Sequence, residues 1–192
     1  MELKKVFKGS ILSYHHMCRY YSGFFFRHSL TLKYDYYWRL DTHVKFPCHI
    51  KEDPFLFLKN KKKLYGFTLT INEELNTMPT LWPKFKNYFN LPRSNQTDNS
   101  NGLDFISKNN GDELKSLCVF WNNFEIASFS IFRNKDYVDY FDYLDKSGGF
   151  YYERWGLFNN CFILLSIKIE NKYFKNYNRR CTCSYLLHCF NA

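Results

Sequence analysis

Apolar and aromatic residues fall three to four apart over residues 16–26 (HMCRYYSGFFF), the spacing of an amphipathic helix that Gly23 weakens. Residues 36–40 (YYWRL) are rich in β-favouring side chains and predict a buried strand ending at Asp41. Asp53-Pro54 has the order of an N-cap followed by proline at the first helical position, which predicts a short helix to about Lys59. Residues 64–71 (LYGFTLTI) alternate as another strand, and residues 79–89 predict a helix with Trp82 and Phe85 on one face. Ser, Asn, Asp and Gly cluster in residues 92–111, the one long loop. Residues 118–126 (CVFWNNFEI) are apolar with a single acid. Residues 130–145 predict a helix carrying Phe132, Val138, Phe141 and Leu144, which Ser147-Gly148-Gly149 closes. Residues 150–156 (FYYERWG) form a second aromatic segment that holds acid and base together. Strands alternating with helices argue for an α/β class.

The chain's 192 residues suit one domain, and 45% apolar with 23% charged residues describe a globular protein rather than a disordered tail, a collagen or a coiled coil. No apolar run approaches the roughly 20 residues of a membrane span, and residues 1–10 lack the apolar h-region of a signal peptide. The net charge of +9 comes from 27 Lys and Arg against 18 Asp and Glu. Residues 157–192 hold 5 basic and 1 acidic side chains, so the tail supplies almost half the excess. In the body the dense basic run is Lys59-Asn60-Lys61-Lys62-Lys63, which reads as a solvated loop between apolar segments, and charge alone does not make a nucleic-acid binder. The 7 cysteines show no framework spacing. Cys181, Cys183, His188 and Cys189 lack the two separated ligand pairs of a structural zinc site, while Cys18, Cys48 and Cys118 sit among aromatics as buried thiols or disulfide partners. Residues 157–178 differ in kind: 19 of the 22 are Leu, Phe, Asn, Ile, Lys or Tyr, a low-complexity composition favoured by A/T-rich codons.

Three acids stand inside aromatic or apolar segments: Asp41, Glu125 and Glu153. A buried carboxylate must be paired, ligate a metal or take part in catalysis. Taken singly, each has a structural explanation, such as pairing of Glu153 with Arg154 or capping of the strand end by Asp41. Together with Tyr14 and the tryptophans Trp38, Trp121 and Trp155, they suggest a carbohydrate site. Aromatic faces pack on sugar C–H surfaces, carboxylates and Arg hold hydroxyls or phosphates, and glycosyl transfer needs a carboxylate near the anomeric carbon.

The order of the segments supports a resemblance. Ser13-Tyr14-His15-His16-Met17-Cys18-Arg19-Tyr20-Tyr21-Ser22-Gly23-Phe24-Phe25, Tyr37-Trp38-Arg39-Leu40-Asp41-Thr42-His43-Val44-Lys45, Tyr65-Gly66-Phe67-Thr68 and Pro79-Thr80-Leu81-Trp82 are followed by Phe120-Trp121-Asn122-Asn123-Phe124-Glu125-Ile126-Ala127 and by residues 140–156 (YFDYLDKSGGFYYERWG). These six blocks resemble, in order, those of the fungal α-1,2-mannosyltransferases of glycosyltransferase family fifteen, the KTR type. The resemblance runs over residues 1–156, as the central part of a catalytic domain, and leaves residues 157–192 as an unrelated tail.

The resemblance implies a partial GT-A-like α/β domain, a mixed sheet with flanking helices, from a lumenal Golgi membrane enzyme. Such an enzyme uses GDP-mannose and Mn²⁺ to add mannose, with retention, to the 2-hydroxyl of a mannoside on glycoproteins. Glu125 matches the family's candidate nucleophile and Tyr14 a tyrosine beside the transferred sugar. Asp41 falls in the donor and metal region, where the family more often has Glu. Arg19, Trp38, Glu153 and Arg154 lie in motifs that line the donor and substrate site. The family's anchor, stem and first nucleotide-binding part would precede Met1, Leu157 stands where an acid is expected, and the manganese-ligating histidine lies in a segment without a counterpart, so no metal ligand is assigned. Residues 157–192 are expected to be a retained intron followed by an out-of-frame exon. One codon set for residues 179–185, shifted by one base, reads Glu-Asp-Ala-Pro-Val-His, which resembles the family's continuation. Two other readings stand beside the enzyme: a catalytically inactive truncated remnant of the family, and a basic aromatic RNA-binding module that no RNP-like pattern supports.

Overall fold

A computed structural model describes residues 8–46, 49–50, 52–68, 70–90, 106–114 and 118–156. The tail with its Cys/His cluster, Cys48 and the Asn95-Gln96-Thr97 glycosylation sequon lie outside them.

The centre is a three-stranded antiparallel sheet. Its middle strand, β7 (Phe124–Ser128), lies between β1 (Tyr36–Leu40) and β2 (Tyr65–Phe67). Register sets which side chains share a face. Tyr37 and Tyr65 both stand opposite Ala127, while Arg39 and Phe67 both stand opposite Glu125. Because strand side chains alternate, these six residues form one face, and Tyr36, Trp38, Phe124 and Ile126 form the other. The second face packs on Leu58 and Phe55 of α2 (Pro54–Asn60). That helix starts as expected, with the Asp53 carboxylate accepting from the backbone N–H of Phe55 and Leu56, and Lys59, Lys61 and Lys62 are exposed at its end.

The first face looks into the main core, closed by α1 (Leu12–Gly23), α3 (Leu81–Phe89), α4 (Phe129–Arg133), α5 (Lys135–Lys146) and α6 (Gly149–Tyr152). Three contacts on one stripe of α1 fasten it to α5 and α6. Tyr137 donates to the Ser22 carbonyl at 2.8 Å, Arg19 grips Asp145 through Nε and a terminal nitrogen at 2.5 and 2.7 Å, and a ring nitrogen of His15 meets the Phe150 carbonyl at 2.6 Å.

Helices and strands alternate along the chain, as an α/β class requires, yet every strand pair among the described residues is antiparallel. Residues 64–71, expected as one strand, divide between β2 and β3 (Thr70–Asn72). β3 pairs with β6 (Cys118–Phe120) instead of β7, so the chain changes sheet where its partner does. The helix expected over residues 130–145 is broken at Asn134, whose extended backbone and side chain cap α5 through the N–H of Asp136. Ser107–Lys108 (β4), inside the expected long loop, pairs with Glu113–Leu114 (β5), just beyond it, as a two-residue ladder.

Gly23 ends α1 against the ring of Phe141, and a Cβ built there would overlap that ring. Phe141 is buried between Phe24 and Phe150 and has nowhere to retreat. Gly23→Ala would gain about 1 kcal/mol of helix propensity and lose about 1–3 kcal/mol to overpacking. Overpacking is expected to prevail, and a lower urea midpoint for Gly23→Ala at unchanged slope is the measurement that checks it.

Candidate active site

Glu125 lies in a strand whose five residues are all buried, and is itself 1% exposed. Its two oxygens are held separately: Tyr37 donates to Oε1 at 2.9 Å and Tyr65 to Oε2 at 2.5 Å. Burial pushes its carboxyl above the ordinary carboxylate range. Tyr65, Arg39 and Tyr37 act against that rise, and Asp41 adds to it. Arg39 is the direct cross-strand neighbour of Glu125, but its guanidinium hydrogen-bonds Asp41 Oδ1 at 3.2 and 3.3 Å and stacks 4.4 Å from the centroid of Tyr21. The backbone N–H of Asp41 donates to the Asn123 carbonyl at 2.8 Å, which ties the end of β1 to the turn before β7.

Tyr21 belongs to a second stripe of α1 that also carries Cys18 and Tyr14. Cys18 is a buried free thiol. Burial raises its pKa, opposed by a hydrogen bond to Tyr14 and by the charges of Arg154, Arg39 and Lys8. The Tyr14 phenol is pushed up to about 12, chiefly by burial and then by Cys18, so it is a neutral donor at physiological pH. Arg154 donates to Glu73 at 2.7 Å, with side chains 13% and 14% exposed, and its backbone N–H is fixed on the Thr77 carbonyl at 2.7 Å. A chain of polar groups therefore links Glu125 to Arg39, and Arg39 through Cys18 to Tyr14 and Arg154. Its two guanidiniums are paired with Asp41 and Glu73.

The structure brings together Glu125, Asp41, Tyr14 and Arg154 of the residues expected from sequence, and sends three elsewhere. Arg19 faces α5 and is occupied by Asp145. Trp38 lies on the opposite face of the sheet from Glu125, packed on Phe55 and Phe124, because neighbours on a strand point apart. Glu153 does not pair with Arg154. It accepts from the N–H and hydroxyl of Thr80 at 3.2 and 2.6 Å and from the indole of Trp155 at 2.7 Å, so its carboxylate holds the start of α3. Trp155 is buried and Trp121 exposed, so the three tryptophans do not form one set. Tyr37, Tyr65, Arg39 and Glu73 were not singled out as site residues. Tyr37 and Arg39 were legible as the residues two apart that share a strand face ending at Asp41. No three His, Cys, Asp or Glu side chains converge on a metal position among the described residues. The carboxylates here are engaged by neighbours, Glu125 by two phenols, Glu73 by Arg154 and Asp41 through Oδ1 by Arg39.

Residues 1–177 match the family model described as glycolipid 2-alpha-mannosyltransferase. The chain belongs to this family. The match passes Gly156, where the motif resemblance stops. The chain is 48% identical over 144 residues to O-glycoside alpha-1,2-mannosyltransferase omh1 of Schizosaccharomyces pombe, covering 75% of this chain and 36% of that relative. It is 46% identical over 153 residues to alpha-1,2 mannosyltransferase KTR1 of Saccharomyces cerevisiae, covering 80% and 38%. Among solved structures, core-mannan synthase A of Aspergillus fumigatus in its Mn/GDP form superposes with a TM-score of 0.76 at 36% identity, over 85% of this chain and 46% of that one. Ktr4p of S. cerevisiae in complex with GDP superposes with a TM-score of 0.77 at 32% identity, over 88% and 44%. The chain thus spans less than half the length of these relatives. No helix of the described residues is long and apolar enough to cross a membrane.

Burial of Glu125 predicts a pH-dependent stability. Its folded pKa lies above the unfolded value of about 4.3, so the wild-type chain loses stability as pH rises through the folded value. Glu125→Gln removes that loss. The variant is expected to be more stable than wild type at pH 7 and to lose that advantage near pH 4, as read by urea denaturation at the two pH values.

Proposed function

We propose that this chain carries the sugar-transfer face of an α-1,2-mannosyltransferase, which moves mannose from GDP-mannose to the 2-hydroxyl of a mannoside on a glycoprotein, with retention, in the Golgi lumen. The observation that carries the reading is Glu125, a buried carboxylate held by two phenols and standing across the strand from Arg39. Glycosyl transfer develops positive, oxocarbenium-like charge on the sugar, and a fixed carboxylate in a low-dielectric site stabilises it. Tyr14, neutral through burial, would donate to a sugar or diphosphate oxygen, while Arg154 and Arg39 would offset the donor's negative charge. Asp41 would help to place the donor. Family membership and the GDP-bound relatives support the nucleotide-sugar donor, and the relatives' names support the α-1,2 linkage. Manganese accompanies GDP in the core-mannan synthase A structure, which supports a cation requirement for a diphosphate donor. Arg19, Trp38 and Glu153 would support this surface from behind rather than touch substrate.

The test uses the protein in the longest form its locus encodes, with radiolabelled GDP-mannose, Mn²⁺ and methyl α-mannoside. An α-1,2-linked disaccharide is expected from wild type. Glu125→Gln is expected to lower kcat by at least about 10²-fold, with the affinity for GDP little changed because the shape is kept. Transfer undiminished in Glu125→Gln would remove Glu125 from the chemistry. No transfer from wild type would favour the inactive remnant.

A further inference from the structure

We propose that Tyr37 and Tyr65 are positioning residues that together set the charge and the orientation of Glu125. The proposal deepens the reading of Glu125 as the transfer carboxylate and rests on it. The two phenols come from the strands on either side of β7 and take one oxygen each. Both are cross-strand partners of Ala127, two residues from Glu125 on the same face. Ala127 is fully buried and presents only a methyl group, so two six-membered rings can flank it and reach along the strand to the carboxylate. Any longer side chain at 127 would occupy that space.

The charged and titratable groups facing Glu125 are Arg39, Asp41 and Tyr37 from β1 and its end, and Tyr65 from β2. Arg39 spends its hydrogen bonds on Asp41, and no cation lies within ion-pair distance of Glu125 among the described residues. The donors to this carboxylate are therefore phenols rather than a guanidinium. Phenol O–H groups directed at a carboxylate favour its ionised form, and removing one leaves the same buried group with a weaker hold on its charge. The rings have separate duties. Tyr37 packs on Phe25 and Phe129 at centroid distances of 5.0 and 5.2 Å, and Tyr65 on Phe120 at 5.3 Å. Phenylalanine keeps those contacts and deletes only the donor.

The test is a ¹³C NMR titration of the Glu125 carboxyl in the full 192-residue chain, the resonance being assigned by its loss in Glu125→Gln. Tyr65→Phe and Tyr37→Phe are each expected to move the Glu125 midpoint up by about one pH unit. The double variant should move it further, and Tyr36→Phe, on the other face of β1, should leave it in place. A midpoint unchanged in either single variant, folded by circular dichroism, would overturn the proposal. The hydroxyls bind different oxygens, so if one variant does not fold the other decides. The titration needs no turnover, so a failure of mannose transfer bears on the proposed function and leaves this readout intact.

Discussion

Glu125 carries a carboxylate into the middle of a strand that has no exposed residue, and an unpaired charge in such a place costs several kcal/mol. Much of the surrounding arrangement follows from that one constraint. Both flanking strands must supply a donor, which requires tyrosine on each at the same register position. The residue between the tyrosines must be small, and it is alanine. A one-residue slip of β1 would take Tyr37 to the α2 face and leave Oε1 without its phenol, so the buried charge also specifies the pairing.

One helix serves both stability and the proposed site by presenting adjacent stripes. His15, Arg19 and Ser22 bind α5 and α6, while Tyr14, Cys18 and Tyr21 lie toward Arg39 and Arg154. The stripes are offset by one residue, about 100° around the helix axis. Fixing the first fixes the second. The aim of Tyr14 and the stacking of Tyr21 on Arg39 are thus set by contacts far from the chemistry. The bidentate Arg19–Asp145 pair matters in this way even though it touches no substrate position.

The elements legible in the sequence were those with local chemistry of their own. Tyr36–Leu40 was visible from its β-favouring side chains, Pro54–Asn60 from its cap and proline, and the face of α3 from Trp82 and Phe85. The failures came where a distant partner decides. Residues 64–71 alternate like one strand, and only the turn between β6 and β7 divides them. Asn134 looked like one more helical polar residue and is a cap. In the site, the acids were legible because carboxylates are rare in apolar company, but their partners were not. Arg154 is next to Glu153 in sequence, yet a short helix ends there and sends the two side chains to Glu73 and Thr80. Adjacent residues on a strand or at a helix end seldom share a partner, which is also why Trp38 and Arg39 part company.

Under the proposed function, a carboxylate could serve as nucleophile or as electrostatic stabiliser, and the geometry of Glu125 suits the second role better. A nucleophile must reach the anomeric carbon, and Glu125 is 1% exposed with a phenol on each oxygen. Each hydrogen bond also withdraws electron density from the lone pairs that would attack. A stabiliser needs only charge at a fixed distance. A unit negative charge about 5 Å from a developing cation, at an effective dielectric constant of about 20, contributes about 3 kcal/mol. That corresponds to about two powers of ten in rate, enough to account for selecting so costly a position. The phenols are compatible with this role, since their hydrogen bonds favour the charged form against the burial that disfavours it. Direct attack would require a sugar to reach a carboxylate that is almost wholly buried between the two phenols.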